Sequence, residues 1–211
     1  NNPFYGKKHT ASELLKEAVY GVTELKREQI RNARLIANPG CYVITGLLGL
    51  YPLLKEGMIQ LHHISINAIN GTTGAKSEPE KGTMHTSVYG NVMSYNMEGH
   101  RHSGEFEEKI GEFGGETPVV DFNVAHGDFT TGIHLVASPL AKLEHKDSLT
   151  REKLLDMYKR CYEGEQFIRI NARPKSAGGT AKVYDVYPQI KDVRGTNFCD
   201  IGLDYDSERG I

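Results

Sequence analysis

Apolar residues recur at helical spacing in the segment that follows Cys41. The residues that share one face of this segment are Val43, Ile44, Leu47, Leu48, Leu50, Tyr51 and Leu54. The pattern predicts a helix whose N-terminus lies at or just after Cys41. We expect this helix to be interrupted or kinked at Pro52, because proline has no N–H to donate in a helix interior, and to stop by Gly57.

Alternation of apolar and polar residues predicts strands elsewhere. In the run His63 to Ile69, the apolar residues Ile64, Ile66 and Ala68 fall on one face. Ser87 to Met97 is predicted to be extended. Further strands are predicted at Arg34 to Ala37, Pro118 to Ala125, Gly132 to Leu140, Phe167 to Asn171, Lys182 to Tyr187 and Asn197 to Asp204.

Further helices are predicted between these strands. They run over Thr10 to Ala18 (opened by a Thr10–Glu13 capping box), Leu25 to Asn32, Ser103 to Gly111 and the clearly amphipathic Leu149 to Cys161. Asn70 to Thr86 follows neither period, and loops of that length are often functional. The order of elements predicts an α+β fold, with helices packed on a mainly antiparallel or mixed sheet.

Composition narrows the class of protein. Charged residues make up 25% of the 211 residues and apolar residues 38%, as in ordinary globular proteins that bury a full core. The net charge of −2 gives no support for nucleic-acid binding. No run approaches the roughly 18 apolar residues that cross a bilayer, and no secretory signal opens the chain. The three scattered cysteines favour a reducing compartment, either the cytoplasm or an organelle matrix.

The two ends and the missing motifs predict a partial protein. The chain starts without an initiator methionine and stops just after an apparent strand. We therefore expect residues 1–211 to be one domain of a longer polypeptide. The sequence contains neither a G-x-G-x-x-G motif in a βαβ unit nor a P-loop. If the chemistry needs a nicotinamide cofactor, most of the cofactor site is expected outside this chain.

Cys41 is the first residue with predicted chemistry. It follows the Pro39-Gly40 turn and opens the apolar helix. Free N–H groups and the positive end of the helix dipole favour a thiolate there, so we expect a lowered pKa and a nucleophile. Cys161 and Cys199 lie in apolar helix and strand patterns and are expected in the core.

A second constellation lies at Gly99 to Phe106. His100 and His102 flank Arg101 just before a helix, and Glu105 follows His102 by three residues. That spacing allows a carboxylate to orient an imidazole and raise its basicity. A cysteine with such a histidine is the minimal set for covalent acyl chemistry. No third and fourth ligand at zinc spacing accompany the histidines, so no metal is predicted.

These motifs resemble those of a known family. The segment Ala37 to Pro52, with its Asn-Pro-Gly-Cys-Tyr core, closely resembles the active-site signature of the N-acetyl-gamma-glutamyl-phosphate reductases of arginine biosynthesis. Three other stretches agree in the same order: Tyr20 to Leu25, Gly99 to His102 with Glu105, and Val193 to Gly202. The resemblance covers nearly the whole chain.

The resemblance implies a thioester mechanism. Cys41 attacks the carbonyl of the acyl phosphate and expels phosphate, and hydride from NADPH then reduces the thioester, which leads to N-acetylglutamate semialdehyde. His102 serves as general acid/base, Glu105 holds it and His100 lies nearby. Which of the two histidines carries the proton stays open at this point.

The resemblance also implies partners. NADP(H) binds mainly to a domain outside this chain, and Gly40 and Gly74 are the cofactor contacts expected here. The expected substrate contacts are Asn38, Lys76, Arg101 and Arg194. The substrate is a small-molecule acyl phosphate, and the catalytic domain supplies the contacts of a homodimer or homotetramer.

Three alternatives remain open. One is a related semialdehyde dehydrogenase, either the carrier-protein-linked aminoadipate enzyme of lysine biosynthesis or aspartate semialdehyde dehydrogenase, which lacks the His-Arg-His motif. Another is a Cys–His hydrolase or acyltransferase that transfers no hydride. The third is an inert dimerisation and substrate-binding module, and for the isolated chain we expect a correct fold with little or no NADPH oxidation.

Overall fold

The computed structural model of the protein describes residues 9–78, 80–172, 184 and 186–211. Its strands are β1 (Val19–Tyr20), β2 (Ile36–Ala37), β3 (Ile59–Asn70), β4 (Met93–Tyr95), β5 (Val120–His126), β6 (Ile133–Ala141), β7 (Ile168–Asn171) and β8 (Cys199–Gly202). Its helices are α1 (Thr23–Arg31), α2 (Cys41–Lys55), α3 (His85–Val88), α4 (Arg101–Gly114), α5 (Leu143–Lys146), α6 (Arg151–Cys161) and α7 (Ile190–Val193). Short 3₁₀ helices lie at Ser12–Lys16, Thr72–Ala75 and Lys81–Thr83.

The largest sheet has four strands in the order β4-β5-β3-β6. β5 runs parallel to β3, whereas β6 is antiparallel to β3 and β4 is antiparallel to β5. Two small parallel sheets pair β1 with β2 and β7 with β8. The mixed sheet with helices packed on it confirms the predicted α+β class.

The central strand β3 separates a buried face from an open one. Ile64, Ile66 and Ala68 lie in the core on the face that α2 and α4 cover, as their alternation predicts. The opposite face carries exposed residues on β3, β5 and β6, among them Asn67, Asp121 and Val136. Helices α2 and α4, which carry the site described below, therefore lie on one side of the sheet.

Helices α2 and α4 approach each other closely because a glycine lies at their contact. A Cβ on Gly46 of α2 would come within 2.5 Å of the Phe106 ring of α4. Phe106 is fully buried and packs on Phe122 of β5. This contact helps to hold the first turn of α4 beside the first turn of α2.

Pro52 was predicted to interrupt or kink the helix, and the interruption was wrong, whereas the end of the helix before Gly57 is confirmed. α2 continues through Pro52 to Lys55, and Pro52 is buried. Proline cannot donate to the carbonyl of Leu48 four residues earlier. The Tyr162 hydroxyl donates to that carbonyl at 2.6 Å instead, and the Tyr158 hydroxyl donates to the Gly49 carbonyl at 2.6 Å. Distant side chains therefore supply hydrogen bonds to this part of the helix.

Two other local predictions also differ from the structure. The first helix is a 3₁₀ segment whose N-cap is Ala11, and its cap has no side-chain hydrogen bond, so the Thr10–Glu13 capping box does not form. The segment expected to be extended from Ser87 to Met97 begins inside α3 and becomes a strand only at Met93. The strand predicted at Lys182 to Tyr187 lies largely outside the described residues.

Candidate active site

Cys41 is the first residue of α2, as predicted. The N-cap is Gly40, whose backbone is extended (φ −63°, ψ 143°), and the Thr45 hydroxyl donates to the Cys41 carbonyl at 2.9 Å. Cys41 is exposed, whereas Tyr42 and Val43 immediately after it are buried. The Pro39-Gly40 turn thus presents a thiol at the surface while the helix behind it packs into the core.

The expected lowering of the Cys41 pKa is not found. Although the residue reaches solvent, burial by the surrounding protein raises the pKa of its thiol above the ordinary value. The backbone N–H groups of Tyr42 and Cys41 and the charge of Arg101 lower this pKa, while Glu105 adds to the rise. The helix start therefore acts in the predicted direction, but desolvation is the larger effect.

His102 lies in the first turn of α4, and its side chain packs beside Gly40, the residue before Cys41. A Cβ on Gly40 would lie 2.7 Å from His102 Nε2 and 2.8 Å from Glu105 Oε2. The side chain is buried, and its Nδ1 has no hydrogen-bond partner among the described residues. Burial lowers the pKa of His102, Arg101 lowers it further, and Glu105 opposes both. The imidazole is therefore neutral near pH 7.

Glu105 makes different contacts from those predicted. Its Oε1 accepts a hydrogen bond from the Gly40 N–H at 2.9 Å and one from the Tyr20 hydroxyl at 2.6 Å. In the described part of the chain these are its hydrogen bonds, so it does not orient His102 by a direct bond. It contributes a negative charge beside His102, and it fixes the backbone in front of Cys41.

His100 has a structural role in the observed geometry. It is the N-cap of α4, and its Nδ1 accepts a hydrogen bond from the His102 N–H at 3.1 Å. Its ring is buried among aromatic rings, with Phe122 at 5.4 Å and Tyr95 at 5.7 Å between ring centroids. Burial lowers the pKa of His100 to about 4, helped by the charges of His102 and Arg101. Of the two histidines, His102 is the one that borders the Cys41 turn.

Several residues of this environment were missed as site residues. The Tyr42 and Tyr95 hydroxyls share a hydrogen bond of 2.9 Å, and the Tyr95 ring stacks on His126 at 4.3 Å. His126 Nδ1 in turn bonds Asn70 Oδ1 at 2.8 Å. Tyr20 and Tyr42 stand inside the stretches that resemble the known family, which was a usable signal. Tyr95, His126 and Asn70 carry no comparable signal in the sequence.

Not all of the predicted substrate contacts lie near the residues described above. We call these residues the Cys41 group; they are Cys41, Tyr42, Tyr95, His100, His102 and Glu105. Arg101 lies near this group, since its charge acts on Cys41, Tyr95 and both histidines of the motif. Asn38, Lys76 and Arg194 are exposed, and Lys76 has a positive φ of 72°. In the described ranges, none of these three makes a hydrogen bond, ion pair or ring contact with a residue of the Cys41 group. Their roles as substrate contacts stay predictions.

The two glycines expected at the cofactor have the space of a Cβ filled by protein. At Gly40 this space borders His102 and Glu105, and at Gly74 a Cβ would overlap the Asn70 amide. Their lack of a side chain thus serves internal packing. Contact of Gly40 or Gly74 with NADP(H) stays a prediction.

Among the residues that the structure describes, no group of three or more His, Cys, Asp or Glu side chains is placed to hold a metal ion. No helix in the same ranges combines the length and apolar character needed to cross a membrane.

Comparison with known proteins identifies relatives over nearly the whole chain. A family model described as the dimerisation domain of semialdehyde dehydrogenase matches residues 41–211. The N-acetyl-gamma-glutamyl-phosphate reductase of Geobacillus kaustophilus is 37% identical over 98% of this chain and 56% of its own length. The protein of the same name from Symbiobacterium thermophilum is 38% identical over 96% of this chain and 54% of its own length. The chain spans about half the length of these curated relatives.

Solved structures show the same fold. Aspartate semialdehyde dehydrogenase II of Vibrio cholerae superposes with a TM-score of 0.64 at 15% identity, over 92% of this chain and 60% of that chain. The aspartate semialdehyde dehydrogenase of Francisella tularensis gives a TM-score of 0.62 at 12% identity, over 89% and 61% of the two chains. At such low identity the likeness concerns the fold alone.

Proposed function

The chain belongs to the semialdehyde dehydrogenase family, and from that premise we propose that it is the catalytic and dimerisation domain of an N-acetyl-gamma-glutamyl-phosphate reductase. The reaction is the NADPH-dependent reduction of N-acetyl-gamma-glutamyl phosphate to N-acetylglutamate semialdehyde and phosphate, a step of arginine biosynthesis. Support comes from the curated relatives of that name at 37–38% identity. The domain that binds most of NADP(H) lies outside residues 1–211.

One observation carries the chemical part of the proposal. A solvent-accessible cysteine opens α2, and His102 and Glu105 of α4 pack against the residue directly before it. A nucleophile, a neutral imidazole and a carboxylate are thereby gathered from segments about sixty residues apart. This set is what acyl transfer to a thiol requires.

In the first step, Cys41 Sγ attacks the acyl carbon of the substrate. The new C–S bond replaces the C–O bond to phosphate, and phosphate leaves with that electron pair. His102 is the proposed acceptor of the thiol proton, since it is the imidazole that borders the residue before Cys41. Before the attack, burial holds the pKa of the Cys41 thiol above its ordinary value and the pKa of His102 below. The resting pair is a thiol and a neutral imidazole, and the proton moves when the attack occurs.

The carbonyl oxygen needs stabilisation while it carries negative charge. The backbone N–H groups of Cys41 and Tyr42 act on the thiol from the first turn of α2. Such first-turn N–H groups have no partner within a helix, so they are suited to donate to an oxyanion next to Cys41. Asn38 is a further proposed donor.

When bound, NADPH supplies the hydride that reduces the thioester. His102 gives its proton to the carbonyl oxygen at this stage and takes it back as the C–S bond breaks. The aldehyde is released, sulfur leaves with the electron pair of the C–S bond as a thiolate, and His102 returns its proton to Cys41, which restores the thiol and the neutral imidazole. Arg101 is the proposed contact of the phosphate or carboxylate group, since its charge already acts on Cys41 and His102. Lys76 and Arg194 are additional proposed substrate contacts.

A second copy of the chain is the proposed partner, as a homodimer or as part of a homotetramer. The family model is that of a dimerisation domain. The open face of the sheet, with Asn67, Asp121 and Val136 exposed, is the proposed contact surface. The proposed compartment is the cytoplasm. Sedimentation of the full-length protein would test the assembly, and a monomer at micromolar concentration would contradict it.

The activity is tested in the full-length protein with N-acetylglutamate semialdehyde, phosphate and NADP⁺. We expect NADPH to form only when phosphate is present, and the isolated 211-residue chain to form little or none. Clear preference for an aminoadipate-derived substrate would instead assign the lysine-pathway reaction. Hydrolysis of acyl substrates without nucleotide would favour a hydrolase and contradict the proposal.

A further inference from the structure

Tyr20 reaches the Cys41 turn from a remote part of the chain. β1 pairs with β2 so that Tyr20 lies opposite Ala37, and the Gly21 N–H donates to the Ala37 carbonyl at 2.9 Å. β2 leads directly into the Asn38-Pro39-Gly40 turn. A Cβ on Gly21 would come within 2.8 Å of the Ile36 side chain, so glycine favours this close pairing. The position of Tyr20 is thus fixed relative to the turn.

The Tyr20 ring is held independently of its hydroxyl. Lys109 Nζ lies 4.7 Å from the centre of the ring. The same ammonium group forms ion pairs with Glu108 at 2.7 Å and with Glu112 at 3.1 Å. Replacing tyrosine by phenylalanine would keep the ring and this contact, since only the hydroxyl would be removed.

The Tyr20 hydroxyl ends on the carboxylate that borders His102. Glu105 Oε1 accepts both the Tyr20 O–H and the Gly40 N–H, whereas Oε2 borders the same space beside Gly40 as His102 Nε2. With two donors on one oxygen, the carboxylate is held in one orientation. Without the hydroxyl, one donor remains and the carboxylate is free to turn toward the imidazole.

We propose that Tyr20 is a positioning residue: through Glu105 it fixes the Gly40 backbone in front of Cys41 and keeps the carboxylate from bonding His102 directly. The inference rests on the proposed function, because that function assigns His102 its role as general acid/base. In the resting protein, Tyr20 would therefore preserve an imidazole that is able to accept the Cys41 proton.

The described charged and titratable groups around Glu105 and His102 come from three elements. They are Cys41 and Tyr42 on α2, His100, Arg101, His102, Glu105 and Lys109 on α4, and Tyr95 on β4. Tyr20→Phe changes none of their charges. A change in the titration of His102 would thus report a movement of the Glu105 carboxylate.

The test uses the full-length protein with isotope-labelled histidine, and the pKa of His102 is followed by NMR. We expect Tyr20→Phe to raise this pKa, because the freed carboxylate stabilises the imidazolium, and Glu105→Ala to lower it. Tyr20→Phe should reduce kcat about tenfold, with KM nearly unchanged, as for loss of one hydrogen bond to a charged group. On the Glu105→Ala background, Tyr20→Phe should have no further effect.

Tyr158→Phe is the matched control, since it removes a hydroxyl with the same 2.6 Å donor distance, to the Gly49 carbonyl. It should leave the His102 titration unchanged. An unchanged His102 pKa in Tyr20→Phe, or an equal loss of kcat on both backgrounds, would overturn the positioning role. The NMR readout needs no substrate, so a wild-type protein without reductase activity would count against the proposed function alone.

Discussion

Both the start and the middle of α2 depend on tyrosine hydroxyls from distant parts of the chain, yet the two regions use them differently. Around Pro52, Tyr162 and Tyr158 donate directly to backbone carbonyls of the helix. At Cys41, Tyr20 donates to a carboxylate, which in turn accepts the Gly40 N–H and borders His102. The first arrangement satisfies the backbone, whereas the second places a charge beside a thiol and an imidazole. Substitutions around Pro52 should therefore change stability, and those at Cys41 should change chemistry.

Cys41→Ser should give the largest effect and leave the fold intact. Serine keeps the size and the helix start, but its hydroxyl is a much weaker nucleophile than a thiol. We expect kcat of the full-length protein to fall at least about a thousandfold, with an unchanged melting temperature. Turnover within a few-fold of the wild type would remove Cys41 from the mechanism and leave the difference between the two regions without a chemical basis.

His100 sharpens the comparison, because it gives the Cys41 region a contribution to stability as well. The pKa of His100 is lowered to about 4 by burial, from 6.5. The folded protein thus binds fewer protons than the unfolded chain. The stability that neutral His100 contributes is therefore fully present above pH 6.5 and is lost as the pH falls toward 4. The loss is on the order of 3 kcal/mol for this group.

His100→Asn should flatten this acid dependence. Asparagine is a good N-cap and can accept the His102 N–H, but it does not titrate. Urea unfolding at several pH values between 4 and 7 measures the slope. Since burial lowers the pKa values of His102 and His126 too, some acid dependence should remain. A slope equal to that of the wild type would mean that His100 does not contribute.

Gly40→Ala and Gly49→Ala place one methyl group in each of the two regions. The backbone of Gly40 is extended and would accept alanine, but the new Cβ would lie within 2.8 Å of His102 and Glu105. A displacement of that kind should lower kcat/KM about a hundredfold. At Gly49 nothing lies within 4 Å, so alanine should raise stability by about 0.5–1 kcal/mol with unchanged turnover. Equal activity of the two variants would show that the space beside Gly40 is not critical.

The sequence predicted the parts of this design that depend on neighbours in the chain. The turn before Cys41, the helix after it and the alternation of β3 all follow from local spacing. The partners of Glu105 and of the Leu48 carbonyl lie 85 and 114 residues away from them, in Tyr20 and Tyr162. Local spacing therefore predicted a direct bond of Glu105 to His102 and an interruption at Pro52, and neither forms in the described part of the chain. The charge of Glu105 does raise the pKa of His102, as the spacing predicted.

The direction of the Cys41 pKa shift shows the same limit of local sequence patterns. The helix start predicted a lowered value, and its N–H groups do act in that direction. The larger effect is burial, which depends on how α4 and the strands close around the turn. Local patterns also do not predict where Lys76 and Arg194 lie relative to Cys41. Each of them is exposed and lies outside the helices and strands that position the site.

The smallest effect is expected around Pro52, and it should appear in stability alone. Tyr162→Phe removes the 2.6 Å hydrogen bond to the Leu48 carbonyl and leaves a buried acceptor without a donor. This should lower the free energy of unfolding by about 1–3 kcal/mol, measured by urea denaturation, with turnover unchanged. Pro52→Ala restores an N–H that can donate to the same carbonyl, so Tyr162→Phe should cost clearly less on that background. If the cost is the same on both backgrounds, Tyr162 does not replace the hydrogen bond that proline lacks, and the continuity of α2 needs another explanation.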